Sequence, residues 1–163
     1  AAATPHAREV VAALRWLGIH TGIVSGGLHV PVCHLAGHLG IPPANVHAVR
    51  LLFAADGSYA GFDRSSPLWQ NGGKAKVLQA LPAAHRPVAF VGDGVTDLET
   101  QGTADLFIGF GGAATRAAVK ARAERFVAGP SLAPVLRHVL TEVQLGSLLS
   151  EPAFHELLAA ASA

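Results

Sequence analysis

The stretch VGDGVTDLE, Val91 to Glu99, overlaps the end of the apolar run VAFV and contains two aspartates four residues apart. The apolar run predicts a buried strand, and a carboxylate at the end of such a strand is costly unless a positive group pairs with it. Glycines on both sides of Asp93 allow the backbone to turn sharply, and Asp97 returns toward the same place on the first turn of the next helix. Two close carboxylates favour a divalent cation, and hard oxygen ligands favour Mg²⁺. The alternative is that Asp93 is a turn residue and Asp97 a helix cap.

Outward from this stretch, predicted strands alternate with predicted helices along the chain. This order predicts an α/β fold: a Rossmann-like, mostly parallel sheet with helices on both faces, a β-hairpin insertion at Asp56-Gly57, and a helical C-terminal tail. We expect residues 1–140 to form the core domain and residues 141–163 a helical extension. The predicted strands are 19–24, 45–53, 87–91, 104–110 and 125–127, and the predicted helices of the core are 5–18, 28–40, 74–81, 95–102 and 113–123.

Two further segments predict a phosphate site, because ligands of such folds bind beyond the carboxyl ends of the strands. The turn SGG, Ser25 to Gly27, offers a hydroxyl and backbone N–H groups at a helix N-terminus, although a serine cap with a tight glycine turn explains the same residues. Lys74, in GGKAK, lies in the first turn of a helix, where a cation is unfavourable unless it meets an anion. The alternative is a solvated lysine. A phosphate-binding turn, a lysine and a Mg²⁺ ion bound by carboxylates together indicate a site for phosphoryl transfer.

Composition excludes several classes of protein. Twelve Lys and Arg residues balance eleven Asp and Glu residues among 163, which gives no electrostatic support for nucleic-acid binding. No apolar run is long enough to predict a membrane span. A single cysteine, Cys33, cannot form an intrachain disulfide, and this favours a reducing compartment. We therefore expect a cytoplasmic protein that binds a small molecule.

Histidines are frequent, with nine in the chain. His34 and His38 are four residues apart on a predicted helix and could bind a metal, but the zincin glutamate and a third ligand are missing. A partly exposed helix face is the favoured interpretation.

Four segments in the same order resemble motifs two to four of the haloacid dehalogenase superfamily and, within it, the phosphoserine phosphatase family. These segments are IVSGG, GGKAKVL, VGDGVTDLE and ADLFIGFGG, and the resemblance extends over roughly Thr4 to Leu140. It implies a Mg²⁺-dependent phosphomonoester hydrolase that dephosphorylates O-phospho-L-serine in L-serine biosynthesis through an aspartyl-phosphate. Ala113 and His6 depart from the pattern, since an Asn and a Gly are expected there.

The resemblance also implies a role for each candidate residue. Lys74 would stabilise the phosphoryl group, Asp97 would orient Lys74 or the metal shell, and Asp93 would ligate Mg²⁺. Ser25, Gly26 and Gly27 would bind the phosphate. Thr96 would lie at the substrate end of the site, and Arg116 would hydrogen-bond near the site or support its loop.

The first family motif, DxDxT, is absent, because no DxD occurs anywhere in the sequence. This motif would supply the nucleophilic aspartate, on a strand between the strand ending at Val24 and the strand ending at Val91. We therefore expect the chain to be the C-terminal part of a phosphatase, inactive alone, without a central strand and without the family's helical cap.

Two alternatives remain open at this stage. The chain could be a catalytically inactive relative that binds phosphate or Mg²⁺. The tail from Leu140 to Ala163 could also serve assembly into a homo-oligomer, although packing on its own domain is favoured.

Overall fold

A computed structural model describes residues 3–112 and 114–162 of the chain. Strands and helices alternate in an α/β arrangement, as the sequence predicts. The strands are β1 (Ile23–Leu28), β2 (Val46–Val49), β3 (Leu51–Phe53), β4 (Tyr59–Phe62), β5 (Ala89–Gly92), β6 (Leu106–Phe110) and β7 (Arg125–Val127). The helices are α1 (Ala7–Trp16), α2 (His29–Leu39), α3 (Gly73–Gln79), α4 (Val95–Leu98), α5 (Ala117–Arg122), α6 (Leu136–Val139), α7 (Glu142–Leu149) and α8 (His155–Ala160).

The strands of the described residues form three separate sheets. β1 pairs with β2 in parallel, β5, β6 and β7 form a parallel sheet in that order, and β3 pairs with β4 as an antiparallel hairpin. The hairpin turn contains Gly57 at a φ of 82°, a conformation that glycine adopts without steric cost. This confirms the predicted hairpin at Asp56-Gly57.

The two parallel sheets are not joined in the described part of the chain, since no strand pairing links β1 to β5. The break lies where the sequence predicts a missing central strand. Residues of both strands are therefore exposed to solvent. In β1, Gly26 and Gly27 are exposed and Leu28 is 46% exposed, and in β5 the first residue, Ala89, is exposed. Both strands therefore present an edge to the break that a fully buried parallel sheet would not leave open.

The first strand differs from its predicted position. It begins at Ile23 rather than Ile19 and continues through SGG to Leu28. Residues 19–22 precede the strand without regular structure, and the Asn45 side-chain amide donates to the Thr21 carbonyl there at 2.8 Å. Between Val24 and Leu28 the pairing with β2 shifts register, which marks SGG as an irregular part of a strand rather than a turn after it.

Other element bounds also differ. β2 and β3 are separate strands because the chain leaves the β1–β2 ladder at Arg50, and α4 spans four residues rather than the predicted eight. Helix α1 begins at Ala7 rather than residue 5, with His6 as its N-cap at a φ of 61°. The left-handed φ at His6 is the conformation that the expected glycine would adopt most easily.

The tail packs against the first helix. Val10 and Ala13 of α1 share a buried cluster with Leu148 of α7 and with Leu157 and Leu158 of α8. Val143 nevertheless remains 79% exposed on α7. The division between a core domain and a tail at residue 140 remains a prediction.

Helix α3 makes a close approach to the 3₁₀ turn at Pro67–Trp69. A Cβ atom at Gly73 would lie 2.2 Å from the Pro67 carbonyl oxygen and 2.9 Å from the Leu68 Cα, and both are backbone atoms that cannot move alone. Only glycine therefore allows α3 to start at this point, one residue before Lys74.

We predict that Gly73→Ala lowers the free energy of unfolding by about 2–3 kcal/mol, because overpacking against backbone forces a shift of α3. Gly37→Ala in α2 is the matched control, since a Cβ there meets no atom within 4 Å and alanine should stabilise the helix by up to about 1 kcal/mol. Urea denaturation of both variants measures the difference. Equal stability of the two variants would contradict this packing.

Within the residues described, none of the helices has the length and apolar character needed to cross a bilayer.

Candidate phosphate and metal site

Lys74 and Asp97 form a largely buried ion pair at the carboxyl end of β5. The Lys74 Nζ lies 2.5 Å from the Asp97 Oδ1, and the two side chains are 18% and 9% exposed. The second oxygen, Oδ2, accepts a hydrogen bond of 2.8 Å from the Gly94 backbone N–H at the N-terminus of α4. Asp97 therefore caps the N-terminus of α4, as the alternative interpretation predicts, and it also pairs with a cation. The pairing explains why Lys74 can occupy the first turn of α3, where the helix dipole opposes a cation.

The glycines of VGDGVTDLE give the Asp97 carboxylate room. A Cβ atom at Gly92 would lie 2.4 Å from the Asp97 Cγ, so the carboxyl group packs directly over the backbone at the end of β5. The Thr100 hydroxyl donates to the Asp97 carbonyl at 2.7 Å and is fully buried. These contacts fix the carboxylate in position before any ligand binds.

A second contact joins the same two segments, and sequence reasoning missed it. Glu99 Oε2 accepts a hydrogen bond of 2.5 Å from the Gly72 backbone N–H, which lies at the N-cap of α3. The N-terminus of α3 is therefore tied to α4 twice, by Lys74–Asp97 and by Gly72–Glu99. The only signal in the sequence is a third acidic residue, two positions after Asp97, and this does not reveal its partner.

Asp93 is the carboxylate that could hold a metal. It is half-buried on the loop between β5 and α4, and no hydrogen bond or ion pair of its side chain is found among the described residues. Asp97, in contrast, already uses both oxygens. Within the described residues no three His, Cys, Asp or Glu side chains converge into a metal cluster. Asp93 therefore fits as one ligand of an oxygen-ligand Mg²⁺ site, which usually uses one or two carboxylates together with water and phosphate, and Asp97 would act only in support.

The serine of SGG is half-buried at the irregular part of β1. Its Oγ accepts a hydrogen bond of 3.0 Å from the Gly27 N–H, which leaves the hydroxyl proton free to donate. A Cβ atom at Gly26 would lie 3.4 Å from the Leu68 carbonyl oxygen, so this segment runs beside the turn that positions α3. The structure thus supplies a free hydroxyl donor near the start of α3. No contact of the Ser25 side chain with Lys74 or Asp93 is recorded among the described residues.

The two remaining candidates are exposed. Thr96 lies on the first turn of α4, between the two aspartates, and its side chain faces solvent. Arg116 is the N-cap residue of α5 and is exposed, and the described residues include no hydrogen bond that ties its side chain to the other candidates. Ala113, which departs from the family pattern, lies outside the described residues.

The histidine pair on α2 is exposed, as the favoured interpretation predicts. The His34 and His38 rings meet edge to face with centroids 4.6 Å apart. The Cys33 Sγ lies 3.5 Å from the His29 ring nitrogens one turn earlier on the same helix.

The parallel strands, the helices between them and a Lys–Asp pair at the carboxyl end of β5 define an α/β fold of the Rossmann-like class, in which ligands bind beyond the carboxyl ends of the strands. Within that class, the sequence identifies the family. Residues 1–100 match the haloacid dehalogenase-like hydrolase family, and the chain belongs to this family.

The curated relatives are similar over most of this chain. The chain is 43% identical over 126 residues to the phosphoserine phosphatase of Bos taurus and 41% identical to that of Homo sapiens. Each alignment covers 76% of this chain and 56% of the relative. The chain therefore spans about half the length of the curated relatives that it matches.

Solved structures agree on the fold. A phosphoserine phosphohydrolase-like protein from Francisella tularensis aligns with a TM-score of 0.66 and 28% identity over 84% of this chain and 63% of its own. A phosphoserine phosphatase in its apo form aligns with a TM-score of 0.68 and 24% identity, covering 84% of this chain and 67% of that one. The mixed α/β fold predicted from the sequence is confirmed.

Proposed function

We propose that this chain is the phosphate- and metal-binding part of a Mg²⁺-dependent phosphomonoester hydrolase that acts on O-phospho-L-serine in L-serine biosynthesis. The main support is the Lys74–Asp97 ion pair at the carboxyl end of β5, together with the Asp93 carboxylate on the following loop, which has no partner among the described residues. The choice of substrate is supported by the relatives named phosphoserine phosphatase at 41–43% identity.

Asp93 would hold Mg²⁺, with Asp97 in support. When bound, Mg²⁺ would neutralise charge on the phosphate oxygens. The other residues act directly on the substrate. The Lys74 ammonium, fixed by Asp97, attracts the phosphate anion, while the Ser25 hydroxyl donates a hydrogen bond to it. Thr96 lies at the substrate end, and Arg116 supports the loop before α5.

The nucleophile comes from outside this chain. We propose that an aspartate on an additional strand, seated at the break between β1 and β5, attacks phosphorus and forms an aspartyl-phosphate. The P–O bond to the alcohol breaks, and the leaving oxygen takes a proton from the second aspartate of the DxDxT motif on the added segment. Water then attacks the phosphorus of the acyl phosphate, gives its proton back to that aspartate, and releases inorganic phosphate and the free carboxylate. Without that strand the chain positions phosphate but cannot transfer it.

The experiment is a phosphate-release assay on a protein in which this chain follows a segment that carries DxDxT and a cap. We expect Mg²⁺-dependent release from O-phospho-L-serine, and faster turnover than with O-phospho-L-threonine or homoserine phosphate. No release from any phosphomonoester would support the alternative, an inactive phosphate- or Mg²⁺-binding module. Preference for a different ester would reject phosphoserine alone.

A further inference from the structure

A cavity of about 330 Å³ lies against helix α3, and none of the candidate phosphate-site residues lines it. Three imidazoles from three separate segments line it instead: His20 before β1, His47 on β2, and His85 in the turn before β5. Lys76 of α3 and Asn45 complete its polar lining. Neither the motifs nor the proposed hydrolysis uses any of these five residues.

Two of the imidazoles are stacked face to face. The His20 and His85 ring centroids are 3.9 Å apart, with an angle of 16° between the planes. The Nδ1 atom of His85 is buried and has no hydrogen-bond partner in the described part of the chain. A buried ring nitrogen without a partner is rare in folded proteins, because its desolvation is not repaid. His85 therefore keeps one buried ring nitrogen without a partner among the described residues, on a ring that is stacked against His20.

The cavity also lacks negative charge. Its lining contains four groups that can be cationic and no carboxylate. Burial lowers the pKa of His20, and the neighbouring His85 and His47 lower it further. Burial also lowers the pKa of His47. Both effects favour the neutral forms of His20 and His47, whereas an anion in the cavity would favour their protonated forms.

We propose that this cavity binds a small oxyanion, of the chemical class of sulfate, phosphate or a carboxylate, together with protons on its imidazoles. The anion would supply the counterion that Lys76 and the protonated rings lack. Because the folded chain takes up protons when the anion binds, the affinity rises as the pH falls toward the unperturbed histidine value of about 6.5.

The test is an NMR titration of the chain with sodium sulfate, at constant ionic strength set with chloride, at about pH 6 and about pH 8. Side-chain ring signals of His20, His47 and His85 should shift on one binding curve, with affinity roughly tenfold higher at the lower pH. His85→Phe preserves a stacked ring that cannot be protonated, and we expect it to weaken binding at least about fivefold. His34→Phe makes the same change on the exposed face of α2 and should leave the affinity unchanged.

A second variant guards against misfolding of His85→Phe. Lys76 is exposed, so Lys76→Gln should fold normally and still weaken sulfate binding, whereas Lys120→Gln on α5 should not. Binding that is independent of pH, or equal losses in the cavity variants and their controls, would overturn the proposal. So would shifts of all histidine signals alike. Phosphate release does not enter this experiment, so its outcome is independent of the proposed hydrolase activity.

Discussion

The Lys74→Met variant is expected to lower the free energy of unfolding by about 3 kcal/mol, because it leaves the buried Asp97 carboxylate without its cation. One oxygen of that carboxylate would retain only the Gly94 N–H, and the other would lose its partner in a poorly hydrated position. Urea denaturation measures the loss. In a protein with the complete site, the same variant should also reduce kcat by about 10²–10³-fold, because a fixed positive charge would be lost from the phosphate.

The control is Lys120→Met, which removes an exposed lysine from α5 and should change stability by less than about 0.5 kcal/mol. The double variant Lys74→Met/Asp97→Asn removes both charges at once. It should be more stable than the sum of the two single losses predicts, since neither charge is left unpaired. Additive losses, or a Lys74→Met loss no larger than that of Lys120→Met, would contradict a functional ion pair.

The Asp93→Asn variant is expected to behave in the opposite way, with a large effect on metal binding and a small one on stability. Its carboxylate has no partner among the described residues, so removing the charge should change the free energy of unfolding by less than about 0.5 kcal/mol. Mg²⁺ affinity should fall by about 100-fold or more, since even indirect support of a metal ligand is worth 10–100-fold. Isothermal titration with MgCl₂ measures this effect.

Asp56→Asn is the matched control for the metal experiment. Asp56 is exposed in the hairpin turn, where its carboxylate accepts hydrogen bonds from the backbone N–H and the hydroxyl of Ser58. Its substitution should leave Mg²⁺ affinity unchanged. Equal Mg²⁺ affinity of Asp93→Asn and the unaltered chain would remove Asp93 from the metal site.

The fold class could be predicted from the sequence because apolar runs alternate with amphipathic helical segments along the core. The element bounds were less predictable, because they depend on contacts between distant residues. β1 begins at Ile23 although residues 19–22 have the pattern of a strand, and the Thr21 carbonyl accepts from the Asn45 side chain instead of pairing within a sheet. Local preferences could not reveal this hydrogen bond, because its partners are 24 residues apart.

The contacts of the candidate site were likewise only partly predictable from the sequence. Two local anomalies, a lysine in a first helical turn and two aspartates after a strand, singled out Lys74 and Asp97, and their pairing was one of the two roles of Asp97 that the family resemblance implied. The Gly72–Glu99 contact was not predictable, since an acidic residue on a short helix is common. The cluster of His20, His47 and His85 was also missed, because their spacing of 27 and 38 residues follows no motif and only the fold brings them to one cavity.

Phosphate release by the 163-residue chain alone tests most directly whether it is the metal- and phosphate-binding part of a hydrolase without its nucleophile. The chain is incubated with Mg²⁺ and O-phospho-L-serine beside the Asp93→Asn variant. A protein that adds the DxDxT segment serves as the positive control. We expect the chain alone to release no phosphate above the Asp93→Asn background, while the longer protein turns over. Mg²⁺-dependent turnover by the chain alone, lost in Asp93→Asn, would show that the nucleophile lies within these residues and would contradict the proposal.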